Sequence, residues 1–186
     1  EEPKRVVFSD AENYKMLKAA EFVLNQKAAF PILLGDEQKI KELIEYHELD
    51  IPNPEILDPR SKSEEERRKQ FAELLFNKRN RKGMSLYTAF DRLHHRNYFA
   101  PMLVETGYAD AMVSGLTNNY PDAIRPAIEV IGKKPEASLV SGMYIINTKS
   151  GPLFLSDCTV NKEPNTEQLV EIALQTAFAV KQFNVA

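Results

Sequence analysis

The first fifty residues alternate strand-like and helix-like segments, and that alternation restricts the possible folds more than any other feature. Arg5-Val6-Val7-Phe8-Ser9 is a short run rich in β-formers and reads as a buried strand. From Ala11 to Lys27, Tyr14, Leu17, Ala20, Val23 and Leu24 recur at helical spacing. Pro31-Ile32-Leu33-Leu34-Gly35 is a second apolar run closed by glycine. Asp36 then caps a helix over Glu37–His47, with Ile40, Leu43 and Ile44 on its inner face. Strand–helix–strand–helix implies a parallel sheet with right-handed crossovers.

Beyond Ile51 the chain carries three prolines before Ser61 and reads as loop, with a short strand at Ile56-Leu57. A charged helix is expected over Ser63–Asn80, its Ser63-Glu64-Glu65-Glu66 start forming a capping box. Gly83 sits where helices stop. Ser85 opens a helix toward Arg96, a further one covers Asn97–Thr106, and Ala111–Ser114 reads as a strand. Pro121–Ile131 is the next helix. After Gly132 the pattern changes to two strands, Ser138–Thr148 and Pro152–Asp157, joined by the hairpin signal Lys149-Ser150-Gly151. A helix follows over Thr166–Phe183. An alternating chain would next supply a strand, so the sequence is expected to be part of a longer one.

Composition removes several function classes. The 186 residues are 43% hydrophobic and 27% charged, a globular mixture, and the net charge of −3 gives no pull toward nucleic acid. No apolar run approaches the ~20 residues of a membrane helix, and no leader-like segment is visible, so a cytoplasmic protein is expected. The one cysteine, Cys158, excludes an internal disulfide. The seven glycines form neither G-x-G-x-x-G nor a Walker loop. His47, His94 and His95 lack partners at metal spacing, and His94-His95 is expected in mid-helix, solvated or structural; no metal ligands are assigned.

Three clusters stand out. Arg60–Lys82 holds nine Lys/Arg against four Asp/Glu. Lys78, Arg79, Arg81 and Lys82 at its end read either as complements to the helix dipole or as an anion site. Val113-Ser114-Gly115 ends a strand, where small residues leave amides approachable, and Asn118, Asn119, Asp122 and Arg125 follow. An ordinary strand–turn–helix would need the same residues. Asp157-Cys158-Thr159-Val160-Asn161 lies beyond another strand, and its lone cysteine reads as a packed thiol before a nucleophile.

Together these segments resemble the phosphate acetyl/butyryltransferase family. The residues that carry the resemblance are Arg79-Asn80-Arg81-Lys82-Gly83-Met84-Ser85, Asn97-Tyr98-Phe99, and Tyr108 through Gly115. Asp122-Ala123-Ile124-Arg125-Pro126-Ala127, Asp157 through Asn161, and Glu167-Gln168-Leu169 extend it, in order, from Lys4 to Phe183. Within the family, Ser114 through Asp122 is most similar to the phosphotransacetylase-type domain at the C-terminus of bacterial NADP-dependent malic enzymes. Lys181-Gln182-Phe183-Asn184-Val185 is similar to that version too. Transferases proper usually carry a Ser/Thr-Thr-Ala-Asp run where this chain has Asn119-Tyr120-Pro121-Asp122.

The resemblance implies an α/β fold: a three-layer α/β/α parallel-sheet subdomain over residues 1–131 and the opening part of a second α/β subdomain over 132–186, with a cleft between them. It implies that Arg79 and Arg125 contact coenzyme A, that Ser114, Gly115 and Asn161 line the cleft, and that Cys158 lies near it. The serine-rich loop and catalytic aspartate of active transferases fall later in the family sequence, so no catalytic residue is assigned and the segment itself is expected to be inactive. The implied role is regulatory: binding acetyl-CoA or a related acyl-CoA, and aiding homo-oligomerisation, in an enzyme converting malate to pyruvate and CO2. That enzyme's NADP and divalent metal (Mg or Mn) would belong to a separate malic-enzyme domain. The alternative is a phosphate acetyltransferase exchanging acetyl between coenzyme A and phosphate.

Overall fold

The computed structural model describes residues 3–183, which divide between Gly132 and Lys133 into two compact units. In the first, four parallel strands are ordered β3-β2-β1-β4: β1 (Lys4–Phe8), β2 (Ala29–Leu34), β3 (Glu55–Leu57) and β4 (Ala111–Val113). Side chains alternate across a strand, so Val7, Ile32 and Leu34 face one way while Phe8 and Leu33 face the other. Helices α1 (Tyr14–Asn25) and α2 (Glu37–Tyr46) cover the Phe8 face through Met16, Leu17, Ala20 and Ile40. The Val7 face is covered by α3 (Glu65–Arg79), α4 (Leu86–Arg92), α5 (Arg96–Glu105) and α6 (Tyr120–Val130). Phe71, Leu75, Leu93, Phe99 and Leu103 fill that layer. Each fully buried side chain of this size contributes roughly 1.5–3 kcal/mol. The sheet is therefore sandwiched between two helical layers, as an all-parallel sheet must be.

The second unit holds an antiparallel hairpin, β5 (Met143–Thr148) and β6 (Gly151–Ser156), and the helix α7 (Thr166–Lys181). Asn165 and Gln168 form the reciprocal capping box of α7. Ile172 is buried, and Thr176 meets Ser156 at 2.5 Å between hydroxyls. No described helix is long and apolar enough to cross a membrane.

Several boundaries differ from the sequence reading. The box expected at Ser63 does not form: α3 starts at Glu65 without a side-chain cap, and Ser63 Oγ meets Ser61 Oγ at 2.8 Å. The buried Arg68 accounts for this, since its Nη1 donates to the carbonyls of Pro59 and Ser61 at 2.7 Å each and coils the preceding chain. The helix expected from Ser85 to Arg96 breaks at Leu93, and His95 adopts an extended conformation as the N-cap of α5. His94 and His95 thus lie in an interhelical turn, not in mid-helix. Leu93 is fully buried there, and the turn lets α4 and α5 both pack inward. The strand expected from Ser138 begins at Met143, because Ser138 and Ser141 instead bond Glu171 and Gln175 of α7. The Lys181–Val185 stretch runs past the described residues at Asn184.

Gly35 ends β2 at φ +148°, and a Cβ there would lie 2.8 Å from Glu12 Cγ and 3.2 Å from Ile40 Cδ1. G35A should therefore destabilise the chain by about 1–3 kcal/mol, through strain and displacement of Glu12. Urea denaturation of both proteins measures it; an unchanged midpoint would contradict the packing described.

Candidate functional site

The carboxyl ends of parallel strands are where open α/β sheets take ligands, above all where the connections diverge. Here they diverge between β1 and β4, since the chain runs outward through β2 and β3 before returning to the other side of β1. The residue leaving β1 at that point is Asp10. Its side chain is completely buried and receives only donors. Oδ2 accepts the amides of Gly115 and Leu116 at 3.1 Å each. Oδ1 accepts Thr117 Oγ1 at 2.5 Å and Asn118 Nδ2 at 3.4 Å, and pairs with Arg96 Nη2 at 3.1 Å. A carboxylate thus fills the amide concavity after β4 that would otherwise suit an anion.

Around this anchor lies a polar cavity of about 340 Å³. Glu12 enters it beyond β1, Gly35 and Asp36 beyond β2, Asp58 and Arg60 beyond β3, and Asn118 beyond β4. His94, His95, Arg96 and Asn97 enter from the α4–α5 turn. Glu12 is tied to Lys39 at 2.6 Å and to the Asp36 amide, and the Lys39 ammonium holds its carboxyl below the usual range. Among the described residues no group of three or more His, Cys, Asp and Glu is arranged to hold a metal.

The basic segment resolves into individual partners. Arg67 pairs with Glu64 and Lys69 with Glu65 inside the segment, and Lys78 pairs with Glu105 outside it. Arg79, at the end of α3, behaves differently. Its Nη2 stands 3.9 Å from Glu129 Oε1 of α6, close enough for attraction and too far for a hydrogen bond. Glu129 Oε2 is already engaged by Arg92 Nη1 at 2.7 Å and Tyr98 OH at 2.8 Å. Arg125, one turn before Glu129 on α6, is exposed and has no ion pair among the described residues. It lines a cavity of about 200 Å³ with Tyr98, His95, Asn97 and Asp122. Burial, the hydrogen bond to Glu129 and its charge push the Tyr98 phenol up to about 12, opposed by Arg92 and Arg125.

The sequence-assigned residues therefore fall into three groups. Arg79 approaches Glu129 in the first unit, and Arg125 lines the cavity that Tyr98 also lines. Ser114 and Gly115 lie on the Asp10 anchor, where Ser114 Oγ is enclosed and without a hydrogen-bond partner among the described residues. Cys158 and Asn161 belong to the second unit. Cys158 is exposed there, its Sγ 4.0 Å from the Ser156 carbonyl. Asn161 Nδ2 donates to the Val140 carbonyl and to Asp157 Oδ2, closing its own loop. The sequence reading missed Asp10, Arg92, Arg96 and Glu129. Only Asp10 carried a signal, its place directly after an apolar strand.

An open parallel sheet with helices on both faces and a polar cavity at its carboxyl ends defines an α/β protein. The chain belongs to the phosphate acetyl/butaryl transferase family, whose model matches residues 1–186. A phosphate acetyltransferase of Helicobacter pylori is 37% identical over 183 residues, covering 98% of this chain and 35% of that protein. One from Clostridium acetobutylicum is 32% identical, covering 95% and 54%. Among solved structures, the EutD phosphotransacetylase from Staphylococcus aureus superposes with a TM-score of 0.84 at 30% identity, covering 98% of this chain and 54% of that one. A phosphotransacetylase from Streptococcus pyogenes gives 0.87 at 28%, covering 98% and 55%. The chain thus spans about a third to a half of the length of these relatives.

Two expectations follow. D10A leaves Arg96 and four other donors facing a void, and should cost on the order of 3 kcal/mol in urea denaturation. D10N should rescue little, because its amide would point a donor at donors, and the Gly115 and Leu116 amides should lose hydrogen-exchange protection in both. Retained protection would refute the anchoring role. For Tyr98, an ordinary tyrosine ionises near 10 in the unfolded chain, below its folded value. Its contribution is complete below about pH 10 and lost as pH rises through about 12. Urea midpoints of Y98F should accordingly fall less than those of the wild type between about pH 9 and 11.5; parallel curves would contradict this.

Proposed function

We propose that this chain supplies the phosphate-anchoring part of a phosphate acetyltransferase, holding coenzyme A while acetyl exchanges between its thiol and phosphate. The observation that carries this reading is the arginine pair. Arg79, near Glu129, and Arg125, in the cavity that Tyr98 lines, have guanidinium groups without hydrogen bonds among the described residues, and guanidinium forks suit phosphate oxygens. The names of the family relatives support the same reaction. In that reaction the coenzyme A thiolate attacks the carbonyl carbon of acetyl phosphate, the bond from that carbon to the bridging oxygen breaks, acetyl-CoA forms, and the bridging oxygen leaves with inorganic phosphate. This chain's arginines would hold phosphate groups in place, since Asp10 already occupies the strand-end amides. The proton-accepting carboxylate would come from family sequence outside the matched segments.

A second reading keeps the ligand and changes its consequence: acetyl-CoA or a related acyl-CoA as effector in an NADP-dependent malic enzyme. It is supported by Asn119-Tyr120-Pro121-Asp122. There Asn119 starts α6 without a side-chain cap and Tyr120-Pro121 fill its first turn. NADP and the divalent metal would be held by chain outside these 186 residues.

R79A and R125A should each weaken coenzyme A binding by roughly 10- to 150-fold, the loss of a charge-assisted pair at ~1.5–3 kcal/mol. Lysine should restore it only in part. Calorimetric titration checks this, and unchanged affinity in both variants would sink the reading. In the natural-length protein, acetyl-CoA formation from acetyl phosphate supports the transferase. Malate-dependent NADP reduction that responds to acetyl-CoA supports the effector role.

A further inference from the structure

Glu129 is a charged residue that neither the sequence motifs nor the reaction accounts for, yet it stands beside Arg79 and one helical turn from Arg125. Its position is set from two directions. Arg92 Nη1 and the Tyr98 hydroxyl both donate to Oε2, and Arg92 Nη1 also donates to the Tyr98 oxygen at 2.8 Å, closing a three-membered ring of hydrogen bonds. The Arg92 guanidinium lies 5.1 Å from the Tyr98 ring centroid and covers the ring. Held in this way, Glu129 cannot swing toward Arg79. Its Oε1 stays 3.9 Å from Arg79 Nη2, so the carboxylate compensates the charge of that guanidinium without occupying its donors.

Arg79 keeps 22% of its side-chain surface open, whereas Glu129 keeps 15%. The cation is thus the more accessible member, and its negative neighbour lies deeper. Arg125 occupies the helical turn before Glu129 and lines the small cavity that Tyr98 also lines. A phosphate group reaching Arg79 therefore meets open donors and, just behind them, a fixed carboxylate of its own sign, and one reaching Arg125 meets the same charge from the next turn of α6. Two like charges a few ångströms apart repel appreciably in the reduced dielectric at a protein surface.

We propose that Glu129 is a fixed internal counter-anion that attenuates the affinity of Arg79 and Arg125 for phosphate groups, keeping their ligand exchangeable. This rests on the reading of those arginines as coenzyme A anchors. Arg92 and Tyr98 act through Glu129, as the clamp that holds its charge beside the arginines and leaves their donors free. Removing the charge while preserving the shape leaves the guanidinium forks available and deletes the repulsion behind them.

The test is calorimetric titration with coenzyme A of the wild type, E129Q and the smaller charge-removing variant E129S. Both variants should bind about three- to tenfold more tightly at low salt, with the gain shrinking at 0.5 M KCl as screening takes over. In an R79A/R125A background the same substitutions should bring no gain, because the repulsion acts only on a phosphate those arginines hold. Affinity unchanged or weakened in both folded variants, with R79A and R125A still impaired, overturns the role of Glu129 and leaves the anchors standing. Unaltered affinity in R79A and R125A removes the anchors and this proposal with them. Failure of both Glu129 variants to fold makes the residue structural and likewise overturns it.

Discussion

The Asp10 carboxylate is the contact on which the first unit depends. It sits at the one place in the sheet where the chain's connections part, and it joins the end of β1 to the loop after β4 with donors alone. A buried charge without partners would cost several kcal/mol, so the loop and Arg96 must close around it for the fold to exist at all. The backbone after β4 is thereby set with Ser114 enclosed and Gly115 at φ +96°, and Arg96 is drawn to the first turn of α5. The break between α4 and α5 follows, with His95 leading into the helix that carries Arg96.

A second carboxylate, Glu129, organises the neighbouring arginines in a different manner. Asp10 is saturated and interior, and its work is cohesion. Glu129 is engaged on one oxygen and only near a cation on the other, which leaves Arg79 with donors to offer. Two acids of similar chemistry thus serve opposite ends because of the number of donors that reach them. The lysines and arginines of α3 show the same rule. Lys69 and Lys78 have carboxylates within reach and are compensated, whereas Arg79 has one at a distance that attracts without binding.

Membership of the transferase family and the parallel sheet agree with one another. The sheet's two faces are covered by helices that alternate with the strands, which places several loops at one end of the unit. That end gathers residues from positions as far apart as Glu12 and Asn118 into one polar cavity. Function in such folds belongs to those loops, so the family relationship constrains the chemistry more tightly than the sheet alone does.

Much of the fold was legible in the residue order. The short strand-like segments Arg5–Ser9 and Pro31–Gly35, the helical spacing from Tyr14 to Leu24, and Asp36 as a cap are local signals, and each element formed close to where they lie. The family was legible as well, through motifs in register. Local signals failed where a distant group competed. Ser63 lost its capping role to Arg68 reaching back to Pro59 and Ser61, and the Ser85–Arg96 helix broke where burying Leu93 favoured two short helices over one. Periodicity, capping chemistry and motif order act between residues a few positions apart, so the sequence by itself determined the elements, their alternation and the family. Asp10 and Gly115 are separated by 105 residues and Arg92 and Glu129 by 37. Only the tertiary structure could decide which carboxylate would be saturated and which arginine left open, because that depends on distances no local pattern encodes.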